Sequence, residues 1–147
     1  MLIEARERFQ ELTVAPGVAD TTIFLGVAER NLGNHRGAAQ HLLEALADPG
    51  INWSDDGDFW TLQFAASILA DRDTAAVLVG AVLAGYERSD IDQPAFVTDD
   101  LAVLRRRLDT ELDPDELSRH LRTGGRRTLQ EAVDIGRVSL TQYLHES

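Results

Sequence analysis

The sequence predicts an all-α protein built from antiparallel helix pairs, and three observations carry that prediction. Apolar residues recur three and four positions apart along nearly the whole chain of 147 residues, the spacing that gathers them on one face of a helix. Alternating apolar and polar runs, which mark half-buried strands, are missing. The chain also repeats itself: Ala5, Phe9, Leu12, Pro16 and Gly17 match Ala38, Leu42, Ala45, Pro49 and Gly50 at a constant offset of 33.

The elements follow in order. Leu2, Ala5, Phe9 and Leu12 mark one helix face. Ile23, Phe24, Val27, Ala28 and Leu32 mark a second, and Ala38, Ala39, Leu42, Leu43 and Leu46 a third. Pro16-Gly17, Pro49-Gly50, Pro94 and Gly124-Gly125 read as breaks. GINWSDDGD, Gly50 to Asp58, reads as an elongated connection to a further helix pair. The second helix of that pair holds AAVLVGAVLAGY, Ala75 to Tyr86, with no charge in it. As a helix this stretch spans about 18 Å, well short of a hydrocarbon core of roughly 30 Å. Asp71, Arg72 and Asp73 before it, and Glu87, Arg88 and Asp90 after it, bar any extension. A helix apolar all round is buried on several sides, so this one is expected between its partner helix and the C-terminal helices. Gly80, Ala81, Ala84 and Gly85 would permit the close approach.

From Val97 onward the period is lost. Leu101, Leu104 and Leu108 mark one helix, Leu117 and Leu121 the next, and Leu129, Val133, Gly136, Leu140 and Tyr143 the last. These three are expected to close the end of the stack. Asp113-Pro114-Asp115-Glu116 is a helix start, with an acceptor at the N-cap and proline in the first helical position. Thr128 with Glu131 forms a capping box. The organisation is thus one helical domain over residues 1–147, with helix pairs in 1–96 and capping helices in 97–147.

A period near 34 residues resembles the tetratricopeptide repeat, in which antiparallel helix pairs stack into a superhelix. Leu25-Gly26, Gly33, Ala38, Leu42 and Ala45 fall at that family's key positions, while Thr22 and Glu29 stand where it uses aromatics. In the following copy Trp60 takes the aromatic position, Ala76 the small one, and Gly80 replaces a larger residue. The helix from Leu2 to about Leu12 reads as the second half of a repeat whose first half is absent. The chain is therefore expected to be a piece of a longer protein, with a native start at Met1 as the alternative.

A second resemblance covers Phe59 to Val138. The runs AAVLVGAVLAGYERSDIDQP, DDLAVLRRRLD and GGRRTLQEAVDIG resemble the C-terminal region of large actinobacterial transcriptional regulators. Those proteins join a STAND-type ATPase, a helical repeat region and a LuxR-type DNA-binding or an adenylate-cyclase domain. The resemblance implies a regulatory segment whose ATP and DNA functions lie elsewhere in the parent. The chain has no lysine, so it has no P-loop of the form GxxxxGK[ST].

Composition limits the chemistry further. Without cysteine there are no disulfides, thiolate metal sites or cysteine nucleophiles. The net charge of -11 arises within residues 1–100 and residues 101–147 are balanced. An acidic surface opposes phosphate backbones and anionic lipid alike, so neither direct nucleic-acid binding nor membrane docking is expected. The charged, amphipathic start MLIEARERFQEL has no apolar core of a secretory signal, and a cytoplasmic location is expected.

No constellation supports catalysis, a metal or a cofactor. His35 and His41 diverge by about 240° on a helix, whereas paired ligands sit four apart. Asn52, Ser54, Asp56 and Gly57 imitate a calcium loop, but Gln63 stands where a bidentate glutamate is needed. Arg105, Arg106 and Arg107 fan around a helix and read as a solvated face partly paired with Asp109. Asp55-Asp56 and Asp99-Asp100 read as acids at helix starts. Arg126 and Arg127, before the helix that starts near Thr128, are a candidate anion site.

The functional expectation is a noncatalytic protein-interaction module. Stacked helix pairs present a concave groove lined by the first helix of each pair. Thr22, Glu29, Arg30, Trp60, Gln63 and Ser67 are the candidate partner-binding residues. The groove would hold a protein or peptide, an adjacent domain of the parent, or a second copy of the chain. The alternative is a small-molecule sensor whose pocket is lined by Gly50–Asp58 and the apolar helix.

Overall fold

The structure, a computed structural model, describes residues 15–47, 55–89 and 92–146. Among them it contains seven α-helices and no strand, so the all-α expectation holds. The helices are α1 (Ala15–Asn31), α2 (His35–Ala47), α3 (Asp55–Ile68), α4 (Arg72–Ser89), α5 (Ala95–Glu111), α6 (Pro114–Gly125) and α7 (Leu129–Glu146). The expected helix at Leu2–Leu12, the Pro49-Gly50 break and most of the Gly50–Asp58 connection lie outside the described residues.

The residues before Ala15 lie outside the described ones, and Pro16 and Gly17 stand at the start of α1. They occupy the first turn of α1, where proline is tolerated because N–H groups there have no intrahelical partner. A break comes at Gly33, whose φ of 86° is a backbone state that a side chain would strain. Its N–H donates to the Arg30 carbonyl at 2.9 Å and the Asn34 N–H to the Glu29 carbonyl at 2.8 Å, the paired bonds of a Schellman end. Asn34 then starts α2 by accepting from the Gly37 N–H at 3.0 Å. Leu32, read as a core position, lies in this turn after the helix has ended and is 84% exposed.

Later boundaries match their signals. Pro94 is the N-cap of α5. Asp113 accepts from the Asp115 N–H at 3.1 Å ahead of Pro114. The Glu131 N–H donates to Thr128 Oγ1 at 3.1 Å, and the Thr128 N–H returns a bond to Glu131 Oε1 at 2.9 Å. Gly124-Gly125 form the last turn of α6, and Gly124 is buried rather than a breaker in a loop.

Helix α1 packs on α2, α3 packs on α4, and α2 joins the two pairs through α3. At the first seam, a Cβ on Gly26 would come within 3.1 Å of Leu42, so only a small residue fits. The apolar stretch lies within α4, which packs on α3, α6 and α7. Its crossing with α6 brings backbone against backbone. A Cβ on Gly80 would overlap the backbone of Leu121, and one on Gly124 would overlap the Val77 carbonyl.

The C-terminal helices do more than close an end. Helix α7 crosses α2, α3 and α4, with Gly136 making room for Leu62 and Leu46. Arg36 of α2 donates to the Leu144 carbonyl at 2.8 Å in the last turn of α7, where a cation suits the negative end of the helix dipole. Among the described residues no helix is long and apolar enough to cross a membrane.

Candidate functional site

The six predicted partner-binding residues lie on α1 and α3, the first helices of the two pairs. They do not line an open groove, because α5 and its lead-in are seated over this face by side-chain bonds. Arg30 donates from Nη1 to Asp100 Oδ2 at 2.9 Å and from Nη2 to Asp100 Oδ1 at 2.8 Å. This is the bidentate fork that only arginine makes with a carboxylate. Nη1 also reaches Ser67 Oγ at 3.1 Å, and the guanidinium lies over the Phe64 ring, 5.5 Å from its centroid. The two partners are well covered, with side-chain exposures of 16% for Arg30 and 22% for Asp100.

The remaining polar groups of this face are engaged too. Gln63 is fully buried. Its Nε2 donates to the Val97 carbonyl of α5 at 2.9 Å, and its Oε1 accepts from the Tyr86 hydroxyl of α4 at 2.9 Å. Both ends of this amide are satisfied, as a buried polar group requires. Trp60 Nε1 donates to Gln93 Oε1 at 2.8 Å, just before α5 begins. Arg107 Nη1 donates to the Ser67 carbonyl at 3.3 Å. An aromatic group closes one end: Phe96 stands 5.6 Å from Phe24 and 5.5 Å from Trp60, edge-on to the latter.

The six candidates therefore differ in what they face. Thr22, Gln63 and Ser67 are buried. Glu29 accepts from Asn34 Nδ2 at 2.7 Å and so serves the α1–α2 turn. Arg30, Trp60, Gln63 and Ser67 come together, each through the α5 segment. What the sequence reading missed is that segment: Gln93, Phe96, Val97, Asp100 and Arg107. Asp100 lies beyond the first turn of α5 and is no helix-start acid. Arg107 is exposed, as a solvated arginine face requires, yet its guanidinium reaches back to the Ser67 carbonyl. The available signal was a carboxylate within an apolar stripe, since Val97, Asp100, Leu104 and Leu108 recur at three and four. A charge in that position needs a partner.

The other candidates resolve plainly. Among the described residues no cluster of histidine and acids could hold a metal. His35 is exposed at the start of α2 and His41 is half-buried in it. Gln63 is committed to Val97 and Tyr86, which removes it from any calcium loop. At Arg126 and Arg127, the backbone donors near the helix start already bond to Thr128 and Glu131, and Arg127 pairs with Glu131 at 3.5 Å. A cleft of about 570 Å³ runs between α2 and α7 beside Leu43 and Val138. Another of about 300 Å³ lies beside Leu46, Asp58 and Val133. Neither takes a side chain from Ala75–Tyr86.

No family model, curated protein or solved structure matches this chain.

Proposed function

We propose that this chain is a noncatalytic protein-interaction module of a transcriptional or signalling regulator. In this reading α1–α2 and α3–α4 are two stacked tetratricopeptide-like pairs whose first helices form a helix-holding surface. The observation that carries it is the set of polar side chains on that surface. Arg30, Trp60 and Gln63 all reach outward from α1 and α3 to bond a segment laid over them. Surfaces that bind helices combine apolar pockets with such directional anchors. The small residue at Gly26 against Leu42 agrees with repeat-like pairing. Gly80, which stands where the repeat pattern wants a larger residue, instead abuts α6, so the second pair is a divergent copy.

The regulator assignment rests on the resemblance over Phe59–Val138 and carries with it a cytoplasmic location. The occupant is a protein or peptide partner, an adjacent domain of the parent or a second copy of the chain. Affinity capture from the source lysate tests the module, with Arg30→Ala as the control and circular dichroism to verify folding. Partners retained by the wild type and lost by the variant support the surface. An identical set of partners for both counts against it.

A further inference from the structure

We infer that the α1–α3 face is an exchangeable seat: a partner helix carrying an apolar residue and, three positions later, a carboxylate displaces α5 and pairs with Arg30. This rests on the module reading above and specifies the partner's chemistry. Helix α5 is held in a way that another helix can copy. Of its 17 residues only Val97, Leu104 and Leu108 are buried. Two of the seat's three anchors, Arg30 and Gln63, contact groups generic to an acidic helix, a carboxylate at Asp100 and a backbone carbonyl at Val97, while Trp60 takes Gln93 just ahead of the helix.

The receptor for that carboxylate is built independently of α5. Arg30 is braced by Ser67 Oγ at 3.1 Å, by Asn31 Oδ1 at 3.0 Å and 3.2 Å, and by the Phe64 ring. A guanidinium braced in this way loses little freedom when it takes up a carboxylate. The chain path permits the exchange as well. Helix α5 is an excursion between α4 and α6, which stay locked backbone to backbone at Gly80 and Gly124. The Arg72–Glu111 ion pair ties the far end of α5 to the start of α4, so the helix would swing about that end. Because the chain carries a net charge of -11, a polyacidic tract would be repelled at long range. The fitting partner is a helix with one placed carboxylate, in the pattern Phe96-Val97-x-x-Asp100.

The probe is a fluorescein-labelled synthetic peptide of residues 92–112, measured by anisotropy against the full chain. The Asp100→Ala chain, which frees Arg30, is expected to bind it saturably and at least about tenfold more tightly than wild type. The same peptide carrying Asp100→Asn should bind about tenfold less tightly, and the Arg30→Ala chain should not respond. Equal binding by the wild-type and Asp100→Ala chains, or indifference to the peptide's carboxylate, overturns the proposal. Carboxylate-independent binding would leave the module reading standing while removing this seat chemistry. Should Asp100→Ala not fold, the wild type decides: peptide in excess must accelerate hydrogen exchange in α5 and leave α4 unchanged. Unaltered α5 exchange refutes the exchange.

Discussion

Helices α5 and α6 are joined by two residues, yet the molecule holds them in opposite ways. Helix α6 meets α4 through glycines, so that backbone lies on backbone and no water or side chain intervenes. Helix α5 keeps its backbone further off: it buries Val97, Leu104 and Leu108 as side chains and is held besides by arms, Arg30 to Asp100, Gln63 to Val97, Trp60 to Gln93 and Arg107 to Ser67. Close packing gains dispersion and excludes rearrangement. Hydrogen bonds exchange against water and return only about 0.5–1.5 kcal/mol each, somewhat more where a charge takes part. The first contact is a weld and the second a latch.

The sharpest way to break this contrast is to thicken the weld. Gly80→Leu and Gly124→Val place side chains against the Leu121 and Val77 backbones, which cannot turn aside as a side chain would. Each should cost about 3 kcal/mol, the upper end for overpacking, read as a drop in the urea midpoint. Gly124→Ala should also destabilise, because the overlap with Val77 outweighs the roughly 0.5–1 kcal/mol that alanine gains over glycine in a helix. Its neighbour supplies the control: a Cβ on Gly125 meets the Ala84 methyl and the Gly80 carbonyl oxygen, each at 3.8 Å, an ordinary contact distance. Gly125→Ala should leave the midpoint unchanged or slightly raised.

The latch should respond differently. Arg30→Ala removes both bonds to a largely covered Asp100 and should cost about 2 kcal/mol. That loss applies to every route out of the native state, so it should appear both as faster hydrogen exchange in residues 97–108 and as a matching drop in the free energy of global unfolding. A smaller effect belongs to the start of α6. Asp113→Ala removes the cap bond to Asp115 and should lower stability by about 1 kcal/mol.

The smallest effect is a pH dependence at α7. The Thr128 backbone N–H, then its side chain, and then Arg127 hold the Glu131 carboxyl below its usual range. A lowered folded-state value means the contribution is present above the unfolded value and fades as pH falls through the folded one. Wild type should therefore lose slightly more stability on acidification than Glu131→Gln, in paired urea titrations across the acid range.

Much of this architecture was legible in the sequence because its signals are local. The Asp113-Pro114 start and the Thr128–Glu131 box satisfy neighbouring backbone groups, so pattern and structure coincide. Pro16-Gly17 stands at a helix start, which proline punctuates as readily as a loop. The cover over the α1–α3 face was not legible. Periodicity says which side of α5 turns inward, but not which surface it meets, and Arg30 lies 70 positions from Asp100. Residues such as Gln63 and Ser67 looked like binding groups because they are polar at inward positions. The structure supplies their partners from the chain itself.

Native-state hydrogen exchange of the wild-type chain in low urea tests the central claim most directly. Helices that open separately from the whole exchange at a lower free energy and with weak urea dependence. The latch account predicts that amides of residues 97–108 exchange through such a local opening, while those of α4 and α6 exchange only with global unfolding. If α5, α4 and α6 share one free energy and one urea slope, α5 is a fixed part of the core and the contrast between weld and latch is wrong.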